Sequence, residues 1–228
     1  MSSAAPAPAP NTEPERVPEA DGIDAVVFDY GNVIYAWEAV GAVAGRVRLE
    51  DWQEFVEAGE FHRWNAMLDA GVPLEQILAA LAAAHPDRPD WTRILRTYWD
   101  HFIDTKTGPI PGTARVIEAL ADAGVPLYAL TNFNDVLFAA TRHLSPLLDR
   151  FSGIVVSGEE HLVKPDPAIY RLLLDRYRLN APRTLFVDDS AVNVEAARSA
   201  GMQAHHFTGA ARLRAVLIEV GLLPAPLD

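Results

Sequence analysis

The sequence predicts an α/β protein: a parallel sheet covered by helices, with an all-helical segment inserted after the first strand. Three observations predict it. First, short apolar runs at 25–28, 125–130 and 184–187 each give out at polar residues, namely Asp29, Thr131-Asn132 and Asp188-Asp189. Runs of that length bounded by turn signals read as strands buried on both faces. Second, amphipathic helical patterns lie between the later runs, and such a βα alternation packs into one parallel sheet. Third, helical periodicity fills residues 38 to 105, and all five tryptophans (37, 52, 64, 91 and 99) fall between the first strand and residue 100.

Each element has its own justification. Residues 1–21, MSSAAPAPAPNTEPERVPEAD, are rich in Pro and Ala without apolar periodicity, and read as a disordered tail. The first strand covers about 24–29. In the inserted segment Trp52, Phe55 and Val56 recur at helical spacing, as do Ile77, Leu78 and Leu81, and then Ile94, Leu95 and Tyr98. Pro73, Pro86 and Pro89 punctuate it. It reads as a cap whose aromatic residues mostly pack against one another. The expected division is a core of 22–35 and 109–228 with a cap of 36–108.

From Pro111-Gly112-Thr113 a helix presents Val116, Ile117 and Leu120 on one face and ends at Gly124. The run VPLYALTNF is a buried strand ending at Thr131-Asn132, followed by a helix over 134–148 and a third strand over 153–157. Asp166 is the expected N-cap of a helix with Pro167 at its first position. A fourth strand over 184–187 leads to a helix that Ser190 caps and Gly201 ends. A weak fifth strand at 203–207 and a helix at 210–220 complete the chain.

Composition narrows the function. Lys and Arg number 19 against 31 Asp and Glu, a formal net charge of −12. That argues against a protein gripping nucleic acid through its phosphates, yet leaves room for a local cationic pocket. There is no cysteine, which excludes disulfides and thiol chemistry. No apolar stretch reaches membrane-spanning length, and the first residues lack the basic and apolar regions of a signal peptide. The expected location is the cytoplasm, with no membrane partner. His205-His206 sit on the last strand pointing to opposite faces without an acidic cluster, so no transition-metal site is expected there.

Ligands of open parallel sheets bind past the carboxyl ends of the strands. Asp29, Thr131-Asn132, Lys164 and Asp188-Asp189 all stand where a strand gives out or nearby, so one sheet edge can gather them. Each has an ordinary reading alone: a turn cap, a solvated lysine, a helix cap. Together they present a carboxylate, a hydroxyl, a lysine and an acidic pair, and a strand-end carboxylate is costly unless a cation meets it.

These residues resemble the haloacid dehalogenase superfamily of hydrolases. FDYGNV is similar to its first motif, LTN to its second, Lys164 of VKPDP to its third, and VDDSAVNVEAARSAGM to its fourth. The resemblance covers nearly everything after the tail, and the inserted helices look like the cap found between motifs one and two. It implies a Rossmann-like three-layer core with an inserted α-helical cap. It also implies that Asp29 is a nucleophile, that Thr131 and the Asn132 backbone hold phosphate, and that Lys164 steadies both. Asp189, helped by Asp188, is the implied Mg²⁺ site. Asp29, the Gly31 carbonyl and Asp189 supply the oxygens that Mg²⁺ favours.

One departure stands out. The commonest phosphatases of the superfamily carry a second Asp two residues after the nucleophile, where this chain has Gly31. That Asp is their general acid–base, a role typically worth about 10² to 10⁴ in rate. A cap residue can replace it, with His62 the first expectation and Glu38 the second; or the leaving group needs little protonation; or the protein binds phosphate without turning it over. A subgroup of sugar-phosphate phosphatases shares Asp-x-Gly-Asn-Val, and the missing acid argues against a phosphomutase. The leading expectation is a Mg²⁺-dependent phosphatase of a small phosphorylated metabolite. The alternatives are a metal-free 2-haloacid dehalogenase, disfavoured because two adjacent carboxylates would repel each other and the substrate anion, and a non-catalytic phosphate binder.

Overall fold

Five strands lie side by side in the order β5-β4-β1-β6-β7, and every pairing is parallel. They are β1 (Ala25–Phe28), β4 (Leu127–Thr131), β5 (Gly153–Val156), β6 (Thr184–Asp188) and β7 (Gln203–His206). The computed structural model describes residues 22–225; the Pro/Ala-rich segment expected as a tail lies outside the described residues.

The sheet has helices on both faces, and strand alternation shows why the apolar runs are continuous. Successive side chains of a strand point to opposite faces. Val26, Phe28, Leu185 and Val187 pack on one side with Val116, Ile117, Leu120, Leu213 and Leu217 of helices Thr113–Asp122 and Ala210–Glu219. Val27, Leu130 and Phe186 pack on the other with Ile169, Tyr170, Leu173, Val194 and Ala197 of helices Pro167–Tyr177 and Ala191–Ser199. A strand covered twice has no polar face to show, so all of β1 is buried.

The register sets up the sheet edge. Phe28 pairs with Val187, so the next residues, Asp29 and Asp188, leave the sheet side by side. The Asp29 N–H still donates to the Val187 carbonyl at 2.8 Å.

Between β1 and β4 the chain makes helices Val40–Val43, Leu49–Glu57, Phe61–Asp69, Leu74–Ala84 and Pro89–Asp100, then a 3-10 turn at Phe102–Thr105. Two short antiparallel strands close this insert at its root: β2 (Tyr35–Trp37) and β3 (Lys106–Pro109), with Trp37 paired to Lys106. No sequence signal marks this ribbon, because strands of three and four residues are too short to show a period. Trp52, Trp64 and Trp91 are buried, and Phe61 packs edge-on against Trp52 and Tyr98 at centroid distances of 4.8 and 5.0 Å. Most insert aromatics are thus packing residues, held in the edge-to-face geometry rings prefer.

Some local expectations needed correction. The helix expected over 134–148 stops after Asp135–Thr141 and continues as 3-10 turns at Arg142–Leu144 and Pro146–Arg150. Pro146 drives Ser145 out of the α region, to φ −126 and ψ 68. Ser157 opens a short helix, Ser157–Glu160, rather than closing β5. Ser190 does stand at the N-cap of Ala191–Ser199, but its side chain makes no cap bond. Instead Asp188 Oδ1 accepts the Ser190 N–H at 2.8 Å. Asp166 caps as its sequence position indicates, accepting from the Ala168 N–H at 2.8 Å, with Pro167 at the first position. No helix among the described residues is long and apolar enough to cross a membrane.

Candidate active site

The carboxyl edge of the sheet opens into a cavity of about 180 Å³ between the core and the insert. Asp29, Gly31, Thr131, Asn132, Lys164 and Asp189 all line it. The strand-end residues that the sequence separates by up to 160 positions (189 − 29 = 160) therefore meet in one place.

Lys164 is the hub. Its Nζ lies 2.8 Å from Asp29 Oδ1 and 2.7 Å from Asp188 Oδ2, and its side chain is 1% exposed. Burial works against its charge, but the Asp29 and Asp188 carboxylates outweigh that and hold its pKa above the ordinary lysine value. Asp29 Oδ1 also accepts the Tyr30 N–H at 2.7 Å. Both of these bonds use Oδ1; among the described residues Oδ2 has no hydrogen-bond partner. Burial pushes the Asp29 carboxyl above its ordinary range; Lys164 pulls it back, and Asp188 and Asp189 add to the rise.

The acidic pair divides its work. Asp188 is fully buried and saturated: it holds Lys164, the Ser190 N–H, and the Asn193 side-chain amide at 3.1 and 3.2 Å. Asp189 is partly exposed at the cavity wall; its pKa is raised by burial and by Asp188, while Lys164 and a hydrogen bond from Asn32 oppose the rise. One oxygen from each of Asp29, Asp188 and Asp189 lies within 4.8 Å of the others. Three carboxylates against one ammonium leave an excess of two negative charges in a confined site. A hard cation with oxygen ligands fits that set, and the residues suit Mg²⁺ better than a metal needing nitrogen or sulfur.

Thr131 is buried at the end of β4. Asn132 acts through its side chain as well as its place in the cavity: its Oδ1 accepts the Lys164 N–H at 2.8 Å and its Nδ2 donates to the Lys164 carbonyl at 2.9 Å. The sequence reading assigned only the Asn132 backbone a role and missed this clasp, which no local pattern announces.

The two acid–base candidates from the insert are not brought in. His62 is exposed on helix Phe61–Asp69, beside Phe61, and Glu38 is exposed just after β2; neither lines the cavity. The insert contributes other groups: Asn65, Leu68, Asp69, Tyr98, Phe102 and Lys106. Lys106 sits among Tyr30, Tyr35 and Phe133 with its Nζ 4.4, 5.6 and 5.1 Å from their ring centroids, and donates to the Tyr30 hydroxyl at 2.6 Å. Burial lowers its pKa to about 8. A signal for Asp69 was present: Phe61, Asn65 and Asp69 form one i, i+4, i+8 row that begins at a buried phenylalanine. His206 Nε2–H donates to the Asp189 carbonyl at 2.9 Å, a contact with no signal in the sequence.

A parallel sheet whose first strand ends in a lysine-held carboxylate, with an acidic pair at the end of the neighbouring strand and a helical insert above, defines a class of hydrolase. The chain belongs to the haloacid dehalogenase-like hydrolases: their family model matches residues 23–201. Sequence relatives include the sesquiterpene phosphatase astK of Aspergillus oryzae, 28% identical over 199 residues, which cover 81% of this chain and 89% of that protein. A phosphoglycolate phosphatase of Neisseria gonorrhoeae is 32% identical over 107 residues, 47% of this chain, and the match spans 45% of its own length. Among solved structures, a HAD family enzyme of Bacteroides thetaiotaomicron in complex with magnesium and inorganic phosphate has TM-score 0.59 at 16% identity, over 82% of this chain and 96% of that one. A 2-haloacid dehalogenase of Pseudomonas syringae has the same TM-score at 20% identity, over 86% and 99%. Both share the fold with this chain, which is a hydrolase whose sequence relatives include phosphatases.

Proposed function

We propose that this chain is a Mg²⁺-dependent phosphatase acting on a small phosphorylated metabolite. The observation that carries it is the trio Asp29, Asp188 and Asp189, gathered within 4.8 Å around a buried lysine. A dehalogenase displacing halide with the same Asp29 would gain nothing from two further carboxylates, whereas a phosphate dianion needs the cation they can hold.

Asp29 Oδ2, free of hydrogen bonds among the described residues, attacks phosphorus to form an aspartyl-phosphate that water then hydrolyses. Lys164 orients Asp29 through Oδ1 and offers positive charge to the transferring group. The Thr131 hydroxyl and the Asn132 backbone hold phosphate oxygens at the end of β4. Asp29, Asp189 and the Gly31 carbonyl hold Mg²⁺, with Asp188 placed behind Lys164; the ion supplies charge neutralisation and orientation. Residues 36–108 act as the cap over a core of 22–35 and 109–228, and the β2–β3 ribbon supports that division.

The cavity has room for the phosphate and the part of the substrate next to it. Two classes have support: a sugar phosphate, from the Asp-x-Gly-Asn-Val motif, and a phosphorylated carboxylate, from Lys106 and the phosphoglycolate phosphatase relative. The acidic balance of the chain argues against a nucleic-acid partner, and a cytoplasmic location is part of the same proposal.

The test is phosphate release from a panel of small phosphate esters with Mg²⁺ and with excess EDTA. Turnover is expected with Mg²⁺ only, and Asp29→Asn is expected to abolish it with thermal melting preserved. Full activity in EDTA, or in a properly folded Asp29→Asn protein, overturns the reading.

A further inference from the structure

We infer that Asp69, carried by the insert, is the proton donor to the leaving group and the base that later activates water. This rests on the phosphatase reading and deepens it.

Hydrolysis of an ester with a poor leaving group needs a proton at the departing oxygen, and position 31, next to the proposed nucleophile, offers only a glycine. Asp69 is the carboxyl that the insert brings to the cavity wall. It is the last residue of helix Phe61–Asp69, where the helix dipole disfavours a negative charge. Its Oδ2 accepts from the Asn65 side-chain amide at 3.1 Å, and the Asn65 carbonyl oxygen accepts from the Tyr98 hydroxyl at 2.9 Å. Tyr98, Asn65 and Asp69 thus form a chain that fixes the carboxyl, and all three line the cavity. Among the described residues no cation forms an ion pair with Asp69.

The electrostatics agree with that placement. Part of Asp69 opens to the cavity, but the protein around it removes enough water to push its carboxyl up to about 7, against a smaller opposing pull from Lys164. A carboxyl poised there exists in both forms at neutral pH, as an acid–base catalyst must. The other titratable groups on the cavity wall are Asp29 and Asp189 from the sheet edge, Lys164 from the loop before helix Pro167–Tyr177, Tyr98 from helix Pro89–Asp100, Tyr30 and Tyr35 around β2, and Lys106 from β3.

The steps balance. Asp29 Oδ2 bonds to phosphorus as the ester P–O bond breaks, and the departing oxygen takes the proton of the Asp69 carboxyl. Asp69, now a carboxylate, accepts a proton from the water that attacks the aspartyl-phosphate. The bond between phosphorus and Asp29 breaks, inorganic phosphate leaves, and both carboxyls return to their starting state.

A structural role competes. The Asp69 carbonyl accepts the Ser157 hydroxyl at 2.5 Å, tying the insert to the short helix Ser157–Glu160 after β5. That bond uses backbone, so Asp69→Asn keeps it. The experiment therefore measures kcat/KM for phosphate esters of graded leaving-group pKa in wild type and Asp69→Asn, with thermal melting as the check on folding. Asp69→Asn is expected to lose about 10² to 10³ on alkyl phosphates but less than about tenfold on p-nitrophenyl phosphate, the size of effect general acid catalysis supplies. The fall of wild-type activity around neutral pH should disappear with it, leaving the separate fall near pH 8 that loss of the Lys106 charge produces. Asn65→Ala, which keeps the carboxyl but removes the N–H that favours its charged form, should move the fall around neutral pH to higher pH. Gly31 has no atom within 4 Å of where a Cβ would stand, so Asp69→Asn/Gly31→Asp can present a carboxyl from the other wall and should recover part of the alkyl activity. An equal loss on every ester, or no loss, overturns the inference while leaving the phosphatase reading intact. Wild type that releases no phosphate from any ester overturns both.

Discussion

Asn132 grips Lys164 by the backbone on both sides: its amide oxygen takes the Lys164 N–H at 2.8 Å and its amide nitrogen reaches the Lys164 carbonyl at 2.9 Å. The end of β4 is thereby fastened to the loop that delivers the lysine. Asn132→Ala strands one backbone donor and one acceptor, each worth about 1–3 kcal/mol when it is left without a partner in a buried setting. Part-exposure allows water to compensate, so the expected loss is about 2 kcal/mol, read from urea unfolding. Turnover should fall further than stability suggests, because Lys164 no longer meets Asp29 at 2.8 Å.

The two carboxylates of the acidic pair should respond oppositely to removal. Asp188→Ala leaves Lys164 and Asn193 facing an empty buried site, and breaking a buried pair typically costs about 3–5 kcal/mol. Asp189→Ala removes a partly exposed group whose neighbours include another carboxylate, so metal-free stability should stay level or rise. Its Mg²⁺ affinity should drop at least tenfold by calorimetric titration. A well-folded Asp188→Ala protein alongside an Asp189→Ala protein of unchanged Mg²⁺ affinity would reverse this division of labour.

Lys106 trades stability for binding. Burial depresses its pKa to about 8 from 10.5. Below that folded value the lysine is charged in both states, and the folded protein bears the cost of holding the charge. Stability from this group therefore rises as pH climbs through the window from about 8 to 10.5. Lys106→Met removes the cost at neutral pH, so its melting temperature should match or exceed wild type there, and the gap should close toward pH 10. Its KM for an anionic phosphate ester should rise about tenfold, since roughly 1.4 kcal/mol of charge pairing in the cavity is lost. Titrated melting curves and steady-state kinetics check both halves.

Asp69 makes a separate pH prediction that does not depend on catalysis. Its carboxyl sits at about 7 in the folded protein against an ordinary value of 3.8. Between those values the folded state holds more protons than the unfolded one, so this group's contribution to stability declines as pH rises and levels off above the folded value. The Asp69→Asn protein lacks the decline. Relative to wild type it should gain melting temperature steadily from about pH 4 to pH 7 and hold that gain to pH 8.5. Parallel curves for the two proteins would show that Asp69 titrates as an ordinary surface carboxylate.

The sequence by itself determined the sheet and most of its edge. Doubly covered strands must be apolar along their length, so AVVF, LYAL and TLFV announce themselves, and the polar residue that ends each run marks the carboxyl edge. Asp29, Thr131, Asp188 and Asp189 were legible for that reason: backbone topology alone delivers them to one edge, whereas Lys164, in the loop beyond helix Ser157–Glu160, was legible through the VKPDP motif. Tertiary structure alone decided what stands opposite. His62 and Asp69 occupy the same helix, and the sequence offered the histidine because its ordinary pKa is near neutral. Packing of Phe61, Trp64 and Leu68 against the rest of the protein turned His62 to solvent and Asp69 to the cavity, and burial then raised the aspartate's pKa to about 7. Which face of an inserted helix meets the site, and what that does to its charges, depends on contacts between segments far apart in the chain; the Phe61, Asn65, Asp69 row marks a shared helix face but not what that face meets.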